Sequence, residues 1–433
     1  MLRADPHMQE VARGTLLAFI LKVVGSGLAF SFNVAVARLL GAEGAGIYFL
    51  ALAVTTIGSV IGRVGLDNSL LRFVATYATH EDWAAVKGVY ALGMRMAVVV
   101  SGAVTLMVFL AAPWMAITFF KKPELAEPLR WMSLSILPFA LINLQAESIK
   151  GLKHIRDAML LQSIGVPLLS LMLIYPLTHL ADVTGVAWAY TASTTMIALL
   201  GVWAWHRAMI AYEAEHKPFS LQILWASCKP LFVVSIMNNA VRTWVPLLIL
   251  GIWASSEEVG IFGAELRVVA LTTMMLFTLN NVLAPKIAEL YAKKEMATLA
   301  STARRSTAFL IFLSSPVFFV LIFFPDWVMS LFGNEFRQGG LGLAILAIGQ
   351  IVNVSGGTLG AILVVSGNER YVQNITLIFT GILMLLLMIL VPFFGALGAA
   401  ISISVSGTGL SLVTVWQAEK IIGLRIFPFS RKN

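Results

Sequence analysis

Apolar and polar positions alternate on a long period along this chain. Apolar runs recur about every 30 to 40 residues, with short polar turns between them. Each run supplies the roughly 20 residues that a helix needs to cross the hydrocarbon of a bilayer. The pattern predicts spanning helices at 12–37, 45–66, 86–112, 129–149, 158–178, 183–205, 225–252, 259–284, 305–325, 340–366, 371–391 and 396–417. The expected fold class is therefore an all-α polytopic membrane protein with twelve transmembrane helices. The clearest breaks are Lys121-Lys122-Pro123-Glu124 and Phe332-Gly333-Asn334-Glu335, where charge, proline and glycine interrupt the apolar runs. Residues 70–85 and 288–302 read instead as short helices lying against lipid headgroups.

Composition agrees with this class: 59% of the 433 residues are hydrophobic and 12% charged, against about 25% charged in soluble domains. No long polar stretch offers a membrane-free enzyme domain, so no enzymatic activity is expected. The first ten residues hold Arg3, Asp5 and Glu10 without a small-residue cleavage site, so the first apolar run is expected to stay. Cys228 is alone, which excludes an intrachain disulfide and argues against a Cys-based metal or redox site. The six His are scattered with no pair at metal spacing, so no metal or cofactor is expected.

The net charge of +8 reads as a topology signal. With the N-terminus inside, the outer turns hold only Arg38, Lys121, Lys122, Arg130 and Arg337, while twenty other Lys and Arg lie on the inner side. That asymmetry predicts that both termini are cytoplasmic. No basic patch is interleaved with exposed aromatics on a soluble surface, so no nucleic-acid partner is expected.

Candidate chemistry lies in the charges left inside the runs. A charge at the bilayer centre costs roughly 2.5–3.5 kcal/mol on insertion scales, so such residues usually face a cavity, a partner or a ligand. Five cations fall within predicted spans, Lys22, Arg63, Arg95, Arg242 and Arg267, against two acids, Glu147 and Glu265. The balance favours an anionic substrate. In the first helix Thr15, Lys22, Ser26 and Asn33 fall within about 40° of one face at 100° per residue. Lys22 lies about 15 Å along that helix from its inner end, too deep to snorkel easily. In the seventh, Ser235, Asn238, Asn239 and Arg242 share one side, whereas a helix that only packs in lipid needs small residues and an occasional hydroxyl. Arg95 is near enough to the end of its helix to snorkel. The candidate substrate-binding residues are Lys22, Asn33, Arg63, Asn238, Asn239, Arg242 and Arg267.

The alternative for any of these cations is a pairing role, with Glu147 and Glu265 as the available partners. For Glu147, which shares a face with Asn143 and Lys150, two readings stand: a site for H+ or Na+ coupling, or a structural salt bridge. Glu265 is the second coupling candidate. It points roughly 200° away from Arg267, so the two cannot both face one cavity. The run Ser355-Gly356-Gly357-Thr358-Leu359-Gly360 reads as helix packing rather than a phosphate loop.

An internal repeat emerges when the chain is slid by 214 residues. Glu43, Gly46, Ile47, Tyr77, Ala78 and Glu81 fall on Glu257, Gly260, Ile261, Tyr291, Ala292 and Glu295, and Tyr48 falls on Phe262. Gly151 meets Gly367 at an offset of 216, and Gly185 meets Gly398 at 213. Two six-helix lobes explain this, 1–210 and 211–433, with the polar segment 207–222 as linker. Transporter folds with repeated halves place the substrate between them and alternate access by rocking.

The segment Arg38-Leu39-Leu40-Gly41-Ala42-Glu43-Gly44-Ala45-Gly46-Ile47-Tyr48, followed by Gly65-Leu66-Asp67-Asn68-Ser69-Leu70-Leu71-Arg72-Phe73, resembles the opening of the Wzx-type polysaccharide-biosynthesis flippases of the multidrug/oligosaccharidyl-lipid/polysaccharide exporter superfamily. Leu331-Phe332-Gly333-Asn334-Glu335-Phe336 and Val365-Ser366-Gly367-Asn368-Glu369-Arg370 extend the likeness into the second half. The resemblance implies a transporter that moves undecaprenyl-diphosphate-linked oligosaccharide from the inner to the outer leaflet of the cytoplasmic (inner) membrane, with a polyprenyl-diphosphate-linked glycan, membrane lipids and polysaccharide-assembly proteins as partners. By helix position, its lipid II flippase branch favours Lys22, Arg63 and Arg267 as cavity residues. A doubly anionic headgroup cannot cross about 30 Å of hydrocarbon unaided, and a cationic cavity removes that obstacle. The competing expectations are a cation-coupled multidrug exporter of the same fold and a membrane glycan polymerase or ligase, which would need a long outer loop that the chain lacks.

Overall fold

A backbone that crosses hydrocarbon must satisfy its own polar groups, and for isolated apolar runs the helix does so locally. A computed structural model describes the backbone of residues 6–212, 217–366 and 368–422, and the side chains of these except 6–16, 274–286, 288, 355–361, 364, 365, 369, 421 and 422. Expectations that fall on Arg3, Arg13, Thr15, Lys286, Gly367 and residues 213–216 of the linker lie outside what is described. Among the described residues there is no strand.

The chain runs through α1 (Pro6–Gly62), α2 (Leu66–Thr79), α3 (Trp83–Trp114), α4 (Ala126–Ser133), α5 (Ile136–Gly151), α6 (Ile155–Met159) and α7 (Val166–Met209). It continues through α8 (Leu221–Ser235), α9 (Arg242–Trp253), α10 (Ser256–Ala292), α11 (Met296–Phe323), α12 (Pro325–Ser330), α13 (Gly340–Val365) and α14 (Glu369–Ile422). Among the described residues, six helical stretches are long and apolar enough to cross a membrane: Leu17–Gly62, Trp83–Phe119, Ile155–Met209, Leu221–Trp253, Met296–Phe323 and Arg370–Lys420. Pro123–Ser133 and Ile136–Gly151, bent by 42°, pass the same length and composition test only when taken together, as one broken span or a re-entrant loop. This is a multi-pass membrane protein.

Three helices are much longer than one crossing. α1 has 57 residues, which at 1.5 Å per residue is about 85 Å; α7 has 44 and α14 has 54. Each breaks once, at Gly41 (φ 68) in α1, Ala181 and Asp182 in α7, and Gly395 (φ 51) in α14. These breaks fall in the predicted gaps 38–44, 179–182 and 392–395. The Gly395 break is held by Glu258, whose carboxylate accepts from the Ala396 N–H at 3.3 Å.

The chain divides into two compact units, Met1–Leu248 and Ile249–Asn433. In the first, α1 packs against α7, α3 and α5, and α2 against α5 and α3. In the second, α13 packs against α14, α10 and α11. The sequence repeat suggests a boundary at 210, but α8 lies in the first unit, and packing explains why. Leu224 and Cys228 of α8 are buried with Leu66, Leu70, Val89, Ala97 and Leu144, and Ser227 Oγ lies 2.8 Å from Ser69 Oγ and accepts from Arg72 Nη2 at 2.9 Å.

The expected surface helix at 70–85 corresponds to α2, which begins earlier and buries Leu66, Ser69, Leu70 and Val74. The one expected at 288–302 is not separate. α10 runs on to Ala292, Lys294 (φ 58) makes the turn, and α11 starts at Met296.

Positions paired by the sequence repeat have matching surroundings in their own units. Ile47 and Ile261 are 5% and 4% exposed, and Tyr48 and Phe262 are 1% and 0%. Gly185 lies against the Leu177 carbonyl and Gly398 against the Leu390 carbonyl, where a Cβ would collide with backbone. Gly185→Ala and Gly398→Ala should each cost about 1–3 kcal/mol by overpacking and lower the apparent unfolding temperature of the purified protein. Gly381→Ala, where a Cβ would meet nothing within 4 Å, should be neutral or stabilising by about 0.5 kcal/mol, since glycine weakens a helix interior. A fluorescence-monitored thermal scan of the three variants separates the two outcomes.

Candidate functional site

The first unit contains Lys22, Asn33, Arg63, Glu147, Asn238, Asn239 and Arg242. Lys22 stands half-buried on α1, and among the described residues no hydrogen bond or ion pair reaches it. Its charged neighbour is another cation, Lys150 at the end of α5, whose field acts on it. Asn33, further along the same helix, donates from Nδ2 to the Ala29 carbonyl at 2.6 Å.

Lys150 belongs to a polar knot between α5 and the π-helical turn Leu160–Gly165. Its Nζ donates to Glu147 Oε1 at 2.7 Å and to Gln162 Oε1 at 2.8 Å. Gln162 Nε2 in turn donates to Asn143 Oδ1 at 3.2 Å and Glu147 Oε1 at 3.3 Å. Of the two readings of Glu147, the geometry here is the salt bridge. Gly25 lets α1 approach the Ser163 backbone closely, which puts α1 beside this knot.

Arg63 differs from expectation. It lies not inside a helix but in the turn after α1, because Val64 (φ 51) and Gly65 (φ 74) take left-handed conformations. Its Nη1 donates to Asp67 Oδ1 at 2.8 Å, with both side chains largely buried. The charge is thus neutralised within the turn, and the Arg63 Nε is buried without a hydrogen-bond partner. Arg95 is exposed on α3, consistent with snorkelling.

Arg242 opens α9 directly after a π-helical turn, Ile236–Val241. The π-turn shifts the register so that Thr243 Oγ1 donates to the Asn238 carbonyl at 3.1 Å, five residues back. Asn238 and Asn239 are exposed, and Asn239 Nδ2 donates to Ser235 Oγ at 3.3 Å. Arg242 is half-buried, and its Nη1 is buried with no hydrogen-bond partner. No carboxylate pairs with it among the described residues. Part of the long helix α1 packs against this π-turn.

In the second unit, Arg267 on α10 donates from Nη1 to the Gly263 carbonyl at 3.1 Å. Glu265 is 1% exposed, and its Oε2 has no hydrogen-bond partner among the described residues. Gly339 and Gly342 lie against it, and a Cβ on Gly342 would stand 2.6 Å from both carboxylate oxygens. An ionised carboxylate in such surroundings is costly, so the site suits a neutral acid or a carboxylate that receives a small cation. Among the described residues no cluster of His, Cys, Asp and Glu has metal-binding form.

Two partners escaped the sequence reading. Asp67 lies four residues from Arg63, a detectable helical spacing, but the turn that joins the two was placed inside a span. Gln162 announces itself only as a polar side chain in an apolar run, and its connection to Glu147 depends on how α5 and the π-helical turn pack.

A helical, multi-pass membrane protein with unpaired cations in one unit and a secluded acid in the other is the class that the fold and these residues define. Residues 11–291 match the family described as polysaccharide biosynthesis protein, and 230–393 match the MatE family. The chain belongs to the polysaccharide biosynthesis protein family. It is 23% identical over 409 residues to the probable low-salt glycan biosynthesis flippase Agl15 of Haloferax volcanii, covering 92% of this chain and 81% of that one. An inward-facing multidrug resistance MATE family transporter of the MOP superfamily shares the fold with a TM-score of 0.76 at 15% identity, covering 94% of this chain and 98% of its own. The lipid II flippase MurJ in its inward closed conformation gives 0.74 at 13%, covering 93% and 87%.

The knot around Glu147 yields a stability prediction. Glu147→Gln leaves Lys150 beside Lys22 without its carboxylate and should cost about 1–3 kcal/mol. The double variant Glu147→Gln, Lys150→Met removes the stranded charge and should recover part of that loss. Unfolding midpoints of the two variants in detergent test the coupling, and equal losses in both would deny it.

Proposed function

We propose that this protein is a flippase that carries an undecaprenyl-diphosphate-linked oligosaccharide from the inner to the outer leaflet of the cytoplasmic membrane by alternating access. It acts as a transporter rather than an enzyme. The observation that carries the reading is that Lys22 and Arg242, two half-buried cations of the first unit, have no carboxylate attached among the described residues. An ammonium and a guanidinium left in that state are matched to an anionic headgroup in transit, with the guanidinium fork able to take two phosphate oxygens. The family membership and the flippase relative support a glycan-linked lipid as cargo. Arg267, Asn33, Asn238 and Asn239 complete the candidate contacts. Polysaccharide-assembly proteins are the expected partners.

On this reading each kink in α1, α7 and α14 separates two spans, giving twelve helices in two six-helix lobes with both termini cytoplasmic. Energy coupling, where present, falls to Glu265 rather than Glu147, because Glu147 is already committed to Lys150 and Gln162. The second reading, a cation-coupled multidrug exporter, is favoured by the same secluded Glu265 and by the MatE match. It predicts raised drug tolerance on overexpression that is lost in Glu265→Gln.

The discriminating experiment measures translocation of a lipid-linked oligosaccharide in proteoliposomes. Lys22→Gln and Arg242→Gln should each slow it about 10- to 100-fold, the loss of one charge-assisted contact, while both proteins still insert and fold. Arg63→Gln with Asp67→Asn removes a pair that is neutral in sum and should leave the rate within about threefold. Wild-type rates in Lys22→Gln and Arg242→Gln together would remove the cationic site from the account.

A further inference from the structure

In the second unit a ladder of side-chain hydrogen bonds crosses three helices. Ser411 Oγ on α14 donates to Asn353 Oδ1 on α13 at 3.2 Å, and Asn353 Nδ2 donates to Gln350 Oε1, one turn back, at 2.7 Å. Gln350 Nε2 donates to Thr273 Oγ1 on α10 at 2.9 Å, and Thr273 Oγ1 donates to the Val269 carbonyl at 3.4 Å. Every step runs the same way, from α14 toward α10, and none of the four side chains carries a charge.

The two ends of the ladder differ. Ser411 is 6% exposed, Asn353 and Gln350 are half-buried, and Thr273 is exposed. The open end lies deep, since Gln350 stands ten residues after Gly340, the start of the 26-residue α13, or about 15 Å along its axis. An amide or hydroxyl open to hydrocarbon at that depth is costly, so this face meets water. α13 turns a different face to lipid. Leu341 and Ile348 are 61% and 54% exposed; seven residues apart, they share one side of the helix, and Gln350 lies about 200° round from Ile348. A ladder that only fastened helices together would need no exposed end.

The chemistry of that end is suited to sugar. An amide offers two N–H donors and a carbonyl oxygen with two acceptor positions, and the ladder engages one N–H and the carbonyl of Gln350. A donor and an acceptor on one planar group match the hydroxyls of a sugar ring, each of which both donates and accepts. A phosphate would find no cation in the ladder. We infer that the Gln350–Thr273 end of the ladder binds the hydroxyls of a sugar ring of the cargo. This rests on the proposed transport of a lipid-linked glycan and gives the glycan its own contact, apart from the cations proposed for the diphosphate.

The test measures binding to the full chain in neutral detergent. One probe is undecaprenyl diphosphate, and the others are the same lipid bearing a single glucose, galactose or N-acetylglucosamine. The unmodified protein should hold at least one glycosylated probe about tenfold more tightly than the bare lipid, the worth of one or two hydrogen bonds. Thr273→Val, which keeps the shape and removes the hydroxyl, and Gln350→Leu should each cut that ratio about three- to fivefold with affinity for the bare lipid unchanged. Thr273→Ser should preserve it. Ser404→Ala, which removes the bond from Ser404 Oγ to the Ile345 carbonyl between α14 and α13, should lower the apparent unfolding temperature and leave the ratio alone. Lys22→Gln should weaken glycosylated and bare lipid alike. Thr273→Val carries the decision, because Thr273 is exposed, and a thermal scan confirms that the variant is folded. Equal affinity for bare and glycosylated lipids, a preference that survives Thr273→Val, or a preference lost equally in Thr273→Ser overturns the inference and leaves the flippase reading standing. Failure of all four probes to bind overturns the flippase reading and the inference with it.

Discussion

A charge cannot sit in an apolar surround without something to offset the loss of water, and this one constraint orders the side chains of the protein. Removing an ion from water costs several kcal/mol even after relaxation, so each intramembrane charge must be paired, solvated or used. Arg63 meets the demand through Asp67, and Lys150 through Glu147 and Gln162. Lys22 and Arg242 do not meet it with a carboxylate among the described residues. Glu265 meets it on neither oxygen with a cation. On the proposed function, the three exceptions are where a cargo or a coupling ion would bind.

The backbone obeys a parallel rule. Helices satisfy their own polar groups, so a chain that crosses repeatedly must turn with few exposed carbonyls, and here it turns through single left-handed residues. Gly41, Asp182 and Gly395 each bend a helix that otherwise continues. Val64 with Gly65, Glu81, Lys121, Lys153, Lys294 and Gly333 also take positive φ. Lys121 has a counterpart in Gly333 and Asp182 in Gly395, at nearly the same offset as the sequence repeat. Gly185 and Gly398 carry the correspondence into packing, each lying against the carbonyl of a leucine eight residues back, Leu177 and Leu390.

Much of this was legible in the sequence, for a reason that is itself physical. Apolar runs of span length and the turns between them are read at low resolution, and hydrocarbon allows little else. The kinks at Gly41, 181–182 and Gly395 fall where the runs break. Lys22 and Arg242 are marked by polar residues on their own faces, and among the described residues neither has a carboxylate partner. What could not be read is packing between elements distant in sequence. α8 lies with the first unit because Cys228 and Leu224 fit beside Leu66 and Leu70, and no periodicity announces that. The capture of Arg63 by Asp67 was missed for a local reason, since Val64 is β-branched and its left-handed backbone is an unusual state that composition does not reveal.

Charge bookkeeping then narrows what the first unit can receive. Arg63 with Asp67 sums to zero, and Lys150 with Glu147 sums to zero, so neither pair can neutralise a cargo without breaking. With Arg95 exposed on α3 set aside, Lys22 and Arg242 remain, and on the proposed function their two positive charges meet the two negative charges of a diphosphate diester. A cationic drug would meet repulsion at the same place, and its natural counterpart lies in the other unit, at Glu265. The two readings of the family thus divide between the two units of the chain, and the unpaired cations of the first weigh toward the phosphorylated lipid.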